Sequence, residues 1–124
     1  MAVRKTILVI DDEADFREIL RARLEHEGYD VLEAGQGMSG LQEFRRNEVD
    51  LILLDIMMPG MDGFTFLKVL REEGGVLPIP PVITLTAYSR MMTEEKRKML
   101  GDVPFVEKTE DFAKLLKIID EMLG

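Results

Sequence analysis

The fold is decided near the N-terminus, by the stretch Ile7-Leu8-Val9-Ile10-Asp11-Asp12. Its short, continuous apolar run is typical of a β-strand that is buried on both faces. A helical pattern follows, and one face of it carries the apolar side chains Phe16, Ile19, Leu20 and Leu24. Gly28 stands where a helix C-cap is expected. The stretch therefore predicts a strand followed by a helix, with two acids at the junction.

The same strand-and-helix unit repeats along the chain. Further strands are predicted at Tyr29–Glu33, Asp50–Asp55, Val82–Thr86 and Val103–Val106. Further helices are predicted around Met38, Leu41 and Phe44, around Phe64, Leu67 and Leu70 with an end at Gly74-Gly75, over Thr93–Leu100, and around Phe112, Leu115, Leu116 and Ile119. Strict alternation indicates a parallel sheet with helices on both faces. We therefore predict a three-layer α/β sandwich, (βα)5, that forms a single domain over residues 1–124, with Val76–Pro81 as a loop.

Composition narrows the class of function. The chain has 124 residues, 24 acidic and 16 basic, for a net charge of -8, and its 46% apolar content excludes a disordered tail. The acidic balance argues against nucleic acid or an anionic membrane as the main partner, because both attract clustered Lys and Arg. The absence of cysteine excludes disulfides and thiolate chemistry. No apolar stretch approaches the roughly 20 residues of a membrane span, so we expect a cytoplasmic protein.

Chemically useful side chains collect where the predicted strands end: Asp11 and Asp12, Asp55, Thr86 and Lys108. The carboxyl ends of parallel strands form the ligand-binding edge of such a sheet. If the first and third strands are neighbours, three carboxylates share one pocket and repel each other, and Mg2+ relieves that repulsion with oxygen ligands. A carboxylate can also become a nucleophile and form an aspartyl phosphate. Each residue alone has a plainer interpretation, as a helix cap, a strand-end residue or a surface lysine; their coincidence favours a phosphoryl-transfer site.

The sequence resembles the receiver domains of two-component response regulators over its whole length. The resemblance is carried by Ile7-Leu8-Val9-Ile10-Asp11-Asp12-Glu13, Leu54-Asp55-Ile56-Met57-Met58-Pro59-Gly60-Met61-Asp62-Gly63, Leu85-Thr86-Ala87 and Lys108. It implies a flavodoxin-like fold with strand order 2-1-3-4-5. It also implies that Asp55 takes a phosphoryl group from the phosphohistidine of a sensor histidine kinase or phosphotransfer protein. Mg2+ would be held by Asp11, Asp12, Asp55 and the carbonyl of Met57, while Thr86 and Lys108 would contact the phosphoryl group.

The resemblance further implies a switch. Thr86 moves toward the phosphoryl group, and an aromatic residue three positions before the lysine, here Phe105, turns inward behind it. The surface that responds is the fourth helix, fifth strand and fifth helix, at roughly Thr93 to Leu123, which would dock an effector protein. The implied molecule is a monomer or a phosphorylation-dependent dimer that modifies only itself and is not an enzyme with external substrates.

Two positions depart from or tune the family pattern. Thr109 replaces the proline that usually follows the lysine with a cis peptide bond, so a trans bond and a reshaped loop are expected. Thr109 is also predicted as the N-cap of the last helix. Met57 and Tyr88, each two residues after a site residue, are bulky and predict slow loss of the phosphoryl group.

Other interpretations stay open beside this one. A hydrolase of the haloacid dehalogenase type needs Asp-x-Asp at its nucleophile, whereas Asp55 is followed by Ile56-Met57. A pseudo-receiver that works by protein contact alone is kept open by Thr109. The run Gly35-Gln36-Gly37-Met38-Ser39-Gly40 matches a dinucleotide motif but follows the second strand, so it predicts a turn instead. The single histidine, His26, is expected at the surface, and Met91-Met92 is a candidate partner contact.

Overall fold

The computed structural model describes residues 4–73, 79–87, 90, 92–108 and 111–124. Strands and helices alternate throughout: β1 (Thr6–Ile10), α1 (Ala14–His26), β2 (Asp30–Ala34), α2 (Gly37–Arg46), β3 (Leu51–Asp55), α3 (Gly63–Glu73), β4 (Val82–Thr86), α4 (Glu94–Leu100), β5 (Phe105–Glu107) and α5 (Phe112–Leu123). The predicted order of elements is therefore confirmed.

The five strands form one parallel sheet in the order β2-β1-β3-β4-β5. This is the predicted flavodoxin-like order. The strand β1 lies between β2 and β3, so the chain reverses its direction of travel across the sheet at β1 and β3. Connections leave to opposite sides there, and the carboxyl ends of β1 and β3 face an open crevice.

Alternate residues of the central strands contribute their side chains to two separate apolar layers, one on each face of the sheet. Leu8, Ile10, Ile52 and Leu54 pack against α2, α3 and α4. Ile7, Val9, Leu51 and Leu53 pack against α1 and α5. Because strand side chains alternate between faces, a continuous apolar run is what a sheet covered on both sides requires. The sandwich thus has three layers, as the runs predicted.

Two of the apolar residues that marked the predicted helices lie at the surface. Ile19 of α1 is 53% exposed and Met38 of α2 is 50% exposed. In α1 the buried pair is Leu20 and Leu24, one turn apart, and Ile19 lies about 100° around the helix from Leu20. The face that α1 turns to the sheet is narrower than the apolar stripe in its sequence.

Element boundaries near the C-terminus also differ from the prediction. The fifth strand begins at Phe105 rather than Val103, because Pro104 has no N–H to donate and contributes only its carbonyl, which accepts from the Thr84 N–H at 2.9 Å. Helix α5 begins at Phe112, and its N-cap is Asp111, whose side chain accepts from the Ala113 N–H. The prediction of Thr109 as the cap was wrong, and Thr109 itself lies outside the described residues.

Glycines of the 35–40 motif allow close packing. A Cβ on Gly37 would lie 2.7 Å from Sδ of Met61, and one on Gly40 would lie 2.6 Å from Cδ1 of Ile10. The guanidinium of Arg17 lies beside Gly35. These small residues let the start of α2 approach β1 and the β3–α3 loop, which accounts for the motif without a nucleotide.

Candidate functional site

Three carboxylates meet at the crevice between β1 and β3. Ile10 pairs with Leu54, so the residues that follow them, Asp11 and Asp55, lie side by side. Asp12 follows directly, and one carboxylate oxygen from each of the three acids lies within 4.8 Å of the other two. Asp11 and Asp55 are buried, whereas Asp12 is exposed. The structure thus brings together the acids that the strand ends predicted.

Each buried acid uses one oxygen to order its own loop. Oδ1 of Asp11 accepts from the Glu13 N–H at 2.9 Å, and Oδ1 of Asp55 accepts from the Met57 N–H at 3.1 Å. Both bonds span two residues, as in the turns that aspartate commonly makes after a strand. The Oδ2 atom of each carboxylate is left to face the crevice.

Lys108 is the cation of this crevice. Its Nζ lies 2.8 Å from Oδ2 of Asp11 and donates to Oδ2 of Asp55 at 3.3 Å and to Oε1 of Glu13 at 2.8 Å. The ammonium lies 4.9 Å from the ring centre of Phe16, and its side chain is only 9% exposed. The plain interpretation of a surface lysine is therefore wrong. Backbone pairing fixes its position, since the Lys108 N–H donates to the Thr86 carbonyl at 2.8 Å.

Glu13 was not predicted as a site residue, although it stands in the quoted run Asp11-Asp12-Glu13. Its carboxylate reaches Lys108 across 95 positions of sequence. Only the parallel sheet brings the ends of β1 and β5 to the same edge, so sequence spacing alone carried no sign of this contact. The only indication in the sequence was that Glu13 directly follows the two predicted site acids.

Burial and crowding change the acidity of the site. Burial raises the pKa of Asp55 to about 7; the charge of Asp11 and a hydrogen bond with Asp12 add to the rise, and Lys108 opposes it. Burial also raises the pKa of Asp11, against the attraction of the neighbouring Lys108 ammonium. For Lys108, burial alone would lower the pKa, but its interactions with the carboxylates of Asp11 and Glu13 raise it. Lys108 therefore stays charged, and the neighbouring carboxylates share its one positive charge.

The donor set fits a hard divalent cation. Among the described residues, no donor makes a well-directed hydrogen bond to the buried Oδ2 of Asp11, although the Lys108 ammonium lies beside it. Lys108 pairs with Asp11, Glu13 and Asp55, and Asp12 lies beside two of these acids, so negative charge is in excess among these five residues when all the acids are ionised. Mg2+ binds oxygen ligands and keeps several waters, which one exposed and two buried carboxylates permit.

Mg2+ is expected to stabilise the protein more strongly near pH 8 than near pH 5.5. Asp11 and Asp55 have raised pKa values when folded, so the folded protein binds more protons than the unfolded chain between about pH 4 and about pH 7. Stability of the metal-free protein therefore falls as the pH rises through that window. Mg2+ competes with those protons, and at 100 times its Kd adds about 3 kcal/mol. Thermal unfolding with Mg2+ or EDTA at both pH values measures this; an equal gain at both would contradict it.

The β3–α3 loop closes tightly on the site through Gly63. The Gly63 N–H donates to the Ile56 carbonyl at 2.8 Å, and a Cβ on Gly63 would lie 2.7 Å from the Ile56 Cα and 2.9 Å from the Asp55 carbonyl oxygen. Those neighbours are backbone atoms of the segment that carries Asp55, so they cannot turn aside as a side chain can.

Gly63→Ala is therefore expected to lower the free energy of unfolding by about 1–3 kcal/mol. Gly35→Ala is a matched control, because its added Cβ would lie 3.4 Å from the nearest atom, Nη1 of Arg17, which is an ordinary contact distance. Urea unfolding compares the two variants. A Gly63→Ala protein as stable as Gly35→Ala would show that the β3–α3 loop accommodates the added Cβ without strain.

The structure also locates the other residues that the sequence singled out. Thr86 ends β4 and is buried, one residue beyond the Leu85 that pairs with Asp55. Phe105 is half-buried against the layer of α2, α3 and α4, and the guanidinium of Arg97 lies 4.9 Å from its ring centre. Met57 is exposed at the mouth. Of the other positions singled out in the sequence, His26 is exposed and Met92 is buried, while Tyr88, Met91 and Thr109 lie outside the described residues.

The helices are short. Among the residues that the structure describes, none of them combines the length and the apolar composition needed to cross a membrane.

Comparison with known proteins places this geometry in a family. The family described as "Response regulator receiver domain" matches residues 7–120. A curated relative, "Probable transcriptional regulator ycf27" of Porphyridium aerugineum, is 46% identical over 105 residues, which cover 85% of this chain and 42% of the relative. The chain thus spans about two fifths of the length of that relative.

Solved structures agree with the fold. CheY4, a chemotaxis protein of Vibrio cholerae, superimposes with a TM-score of 0.85 at 26% identity, over 98% of this chain and 100% of that one. The response regulator protein TrrA of Thermotoga maritima, solved in complex with Mg(2+)-BeF, gives a TM-score of 0.79 at 34% identity, over 96% and 99% of the two chains. In a complex with the histidine kinase ThkA, TrrA gives a TM-score of 0.81 at 32% identity, over 97% and 99%.

Proposed function

The chain belongs to the family of response regulator receiver domains, and from this membership we propose that Asp55 accepts a phosphoryl group from the phosphohistidine of a sensor histidine kinase or phosphotransfer protein. The observation that carries the proposal is the arrangement of Asp55, Asp11, Asp12 and Lys108 in one crevice. Its relative TrrA has been solved both with a histidine kinase and with Mg(2+)-BeF. A cytoplasmic location is part of the same proposal.

The transfer exchanges one bond to phosphorus for another. An ionised oxygen of Asp55 attacks phosphorus, the phosphorus–nitrogen bond of the phosphohistidine breaks, and the electron pair leaves with the imidazole, which takes up a proton. Asp11, Asp12, Asp55 and the carbonyl of Met57 would hold Mg2+. When bound, Mg2+ supplies positive charge to the oxygens of the transferring group.

Residues of the chain itself prepare this step. Lys108 already donates to Asp55, so its ammonium lies within reach of an oxygen on a phosphoryl group attached there. The Thr86 hydroxyl would donate to another phosphoryl oxygen. The pKa of about 7 at Asp55 means that its carboxyl is partly protonated near neutral pH when metal is absent. A cation in the site favours the ionised nucleophile.

The switch is the second part of the proposal. Thr86 would shift toward the phosphoryl group, and Phe105 would turn further inward from its half-buried position. The guanidinium of Arg97 in α4 lies over the Phe105 ring, so rotation of the ring would change a contact with α4. The surface formed by α4, β5 and α5 would then dock an effector protein or a second copy of the domain. Bulky Met57 at the crevice mouth supports slow loss of the phosphoryl group by hindering the attacking water.

The placement of Lys108 favours a phosphoacceptor over a pseudo-receiver. A module that works by protein contact alone has no need for a buried lysine held against three acids. The net charge of -8 supports the prediction that this domain does not itself bind nucleic acid. Its relative in Porphyridium is named as a probable transcriptional regulator, and most of that protein lies beyond the matched region.

The proposal is tested by intact mass after incubation with acetyl phosphate and Mg2+. We expect the added mass of one phosphoryl group, which disappears with EDTA and in Asp55→Ala. No added mass, where an established receiver domain is modified, would favour the pseudo-receiver. Turnover of an external phosphate ester, measured as released phosphate, would favour the hydrolase.

A further inference from the structure

Arg17 of α1 joins the acidic crevice to the second strand. Its Nη1 donates to the carbonyl oxygen of Asp11 at 2.6 Å, and its Nε donates to Oε1 of Glu33 at 3.3 Å. The side chain is 20% exposed and lies beside Gly35, where a Cβ would sit 3.4 Å from Nη1. Arg17 is therefore held in place from β2 while it donates to the first residue after β1.

The carbonyl that Arg17 binds orients the next residue. A peptide unit is planar, so the Asp11 carbonyl and the Asp12 N–H turn together. The other end of Asp11 is already fixed, since its N–H donates to the Ala34 carbonyl at 3.0 Å. With Arg17 on the carbonyl, the plane between Asp11 and Asp12 is restrained as well. That plane sets the direction in which the Asp12 side chain leaves the backbone.

Asp12 is the acid that needs such a restraint. Asp11 and Asp55 are buried, so the surrounding core limits their positions. Asp12 is exposed, and no core packs around it. An exposed carboxylate loses conformational entropy when it is ordered by a bound cation, and this loss weakens binding. The loss is smaller when the backbone already holds the carboxylate in its binding orientation.

We propose that Arg17 is a positioning residue for the Mg2+ site, which acts through the Asp11 carbonyl to hold Asp12 toward Asp55. This rests on the proposed function, because it concerns the proposed metal ligands. Groups that orient a metal's ligands are commonly worth 10- to 100-fold in affinity. We expect the Kd for Mg2+ to rise about 10-fold in Arg17→Ala.

The same helix offers a matched control. Arg21, one turn further along α1, also forms an ion pair with Glu33, and its Nη2 donates to the Val31 carbonyl at 3.1 Å. Val31 pairs with Ile7 at the far end of β1 from Asp11. Arg21→Ala therefore removes the same kind of bridge between α1 and β2 without touching the crevice.

The experiment titrates Mg2+ against thermal unfolding, without a phosphoryl donor, for the wild type, Arg17→Ala, Arg17→Lys and Arg21→Ala. Both alanine variants should lower the unfolding temperature in EDTA, because both lose a contact with Glu33. Only Arg17→Ala should also weaken the Mg2+ response, and Arg17→Lys, which keeps a donor for the Asp11 carbonyl, should recover part of it. Circular dichroism confirms that each variant is folded at the start of the titration.

Three results would overturn the proposal, and they differ from one another. Unchanged Mg2+ affinity in Arg17→Ala would leave Arg17 a purely structural role. An equal loss of affinity in Arg21→Ala would trace the effect to the general joining of α1 and β2. No Mg2+ response in the wild type would overturn the metal site itself, and with it the role of Arg17.

Discussion

Lys108→Met is expected to lower the free energy of unfolding of the metal-free protein by about 3 kcal/mol near pH 8. Removing one partner of a buried ion pair leaves the other charges uncompensated, which typically costs about 3–5 kcal/mol. Here the uncompensated groups are the buried Asp11 and Asp55, whose Oδ2 atoms both face the ammonium. The lower end of the range applies because Glu13 and Asp12 are exposed to water.

The loss should depend on pH and on metal in a defined direction. Without Lys108 the pKa values of Asp11 and Asp55 rise further, so the variant becomes less stable relative to the wild type as the pH increases from about 4 to about 8. Mg2+ should restore much of the stability, because it supplies positive charge to the same oxygens. Phosphoryl uptake from acetyl phosphate should nevertheless stay slow, because the metal does not replace the donor to the phosphoryl oxygen.

Urea unfolding near pH 8 and near pH 5.5, with and without Mg2+, measures this prediction. Lys68→Met is a suitable control, since Lys68 is exposed on α3 and its loss should change stability by less than about 0.5 kcal/mol. If Lys108→Met were no less stable than this control near pH 8, the ammonium would contribute nothing to holding the acids together.

Asp55→Asn is expected to produce two opposite effects. It should abolish phosphoryl uptake, because an amide does not serve as the nucleophile. It should also raise the stability of the metal-free protein near pH 8 by about 2 kcal/mol, since each unit of pKa shift corresponds to about 1.4 kcal/mol and relaxation of the site recovers part of the total. The cause is the buried charge of Asp55, whose pKa is raised to about 7 by burial and by Asp11.

The gain should shrink as the pH is lowered from 8 toward 4, because Asp55 then takes up a proton in the folded wild type and its charge is lost. Mg2+ should favour the wild type over Asp55→Asn, since the variant has one carboxylate fewer for the cation. Thermal unfolding of the wild type and of Asp55→Asn across this pH range measures the difference in stability. A variant that is less stable than the wild type near pH 8 would mean that Asp55 is stabilising in its charged form.

The alternation of strands and helices was predictable because it depends on local patterns that repeat along the chain. Four apolar residues before Asp11-Asp12, and four before Asp55, predict two buried strands whose acids lie at the same edge of a parallel sheet. That β1 and β3 are neighbours, which brings these acids into one crevice, was implied only by the resemblance to receiver domains. The exposed positions of Ile19 and Met38 were not predictable, because the width of a helix's buried face is set by how closely it approaches the sheet. The pattern of apolar residues in the sequence does not reveal the distance between the helix and the sheet.

The contacts of Glu13 and Arg17 could not be predicted from the sequence either. Glu13 meets Lys108, and Arg17 meets Glu33, only after α1 has packed beside the sheet and brought distant strand ends together. Charged residues of a helix look alike in sequence, whether they face water or reach a backbone carbonyl. The cap of α5 at Asp111 rather than Thr109 was not predictable either, since both residue types cap helices well.

The most direct test of Asp55 as the phosphoryl acceptor is to locate the phosphoryl group on the chain. The protein would be incubated with acetyl phosphate and Mg2+, treated with borohydride to reduce the acyl phosphate to an alcohol, digested and sequenced by tandem mass spectrometry. We expect the reduced residue at position 55 alone, and none when EDTA replaces Mg2+. Reduction at Asp11, at Asp12 or at a carboxylate outside the crevice would contradict the assignment of Asp55 as the phosphoryl acceptor.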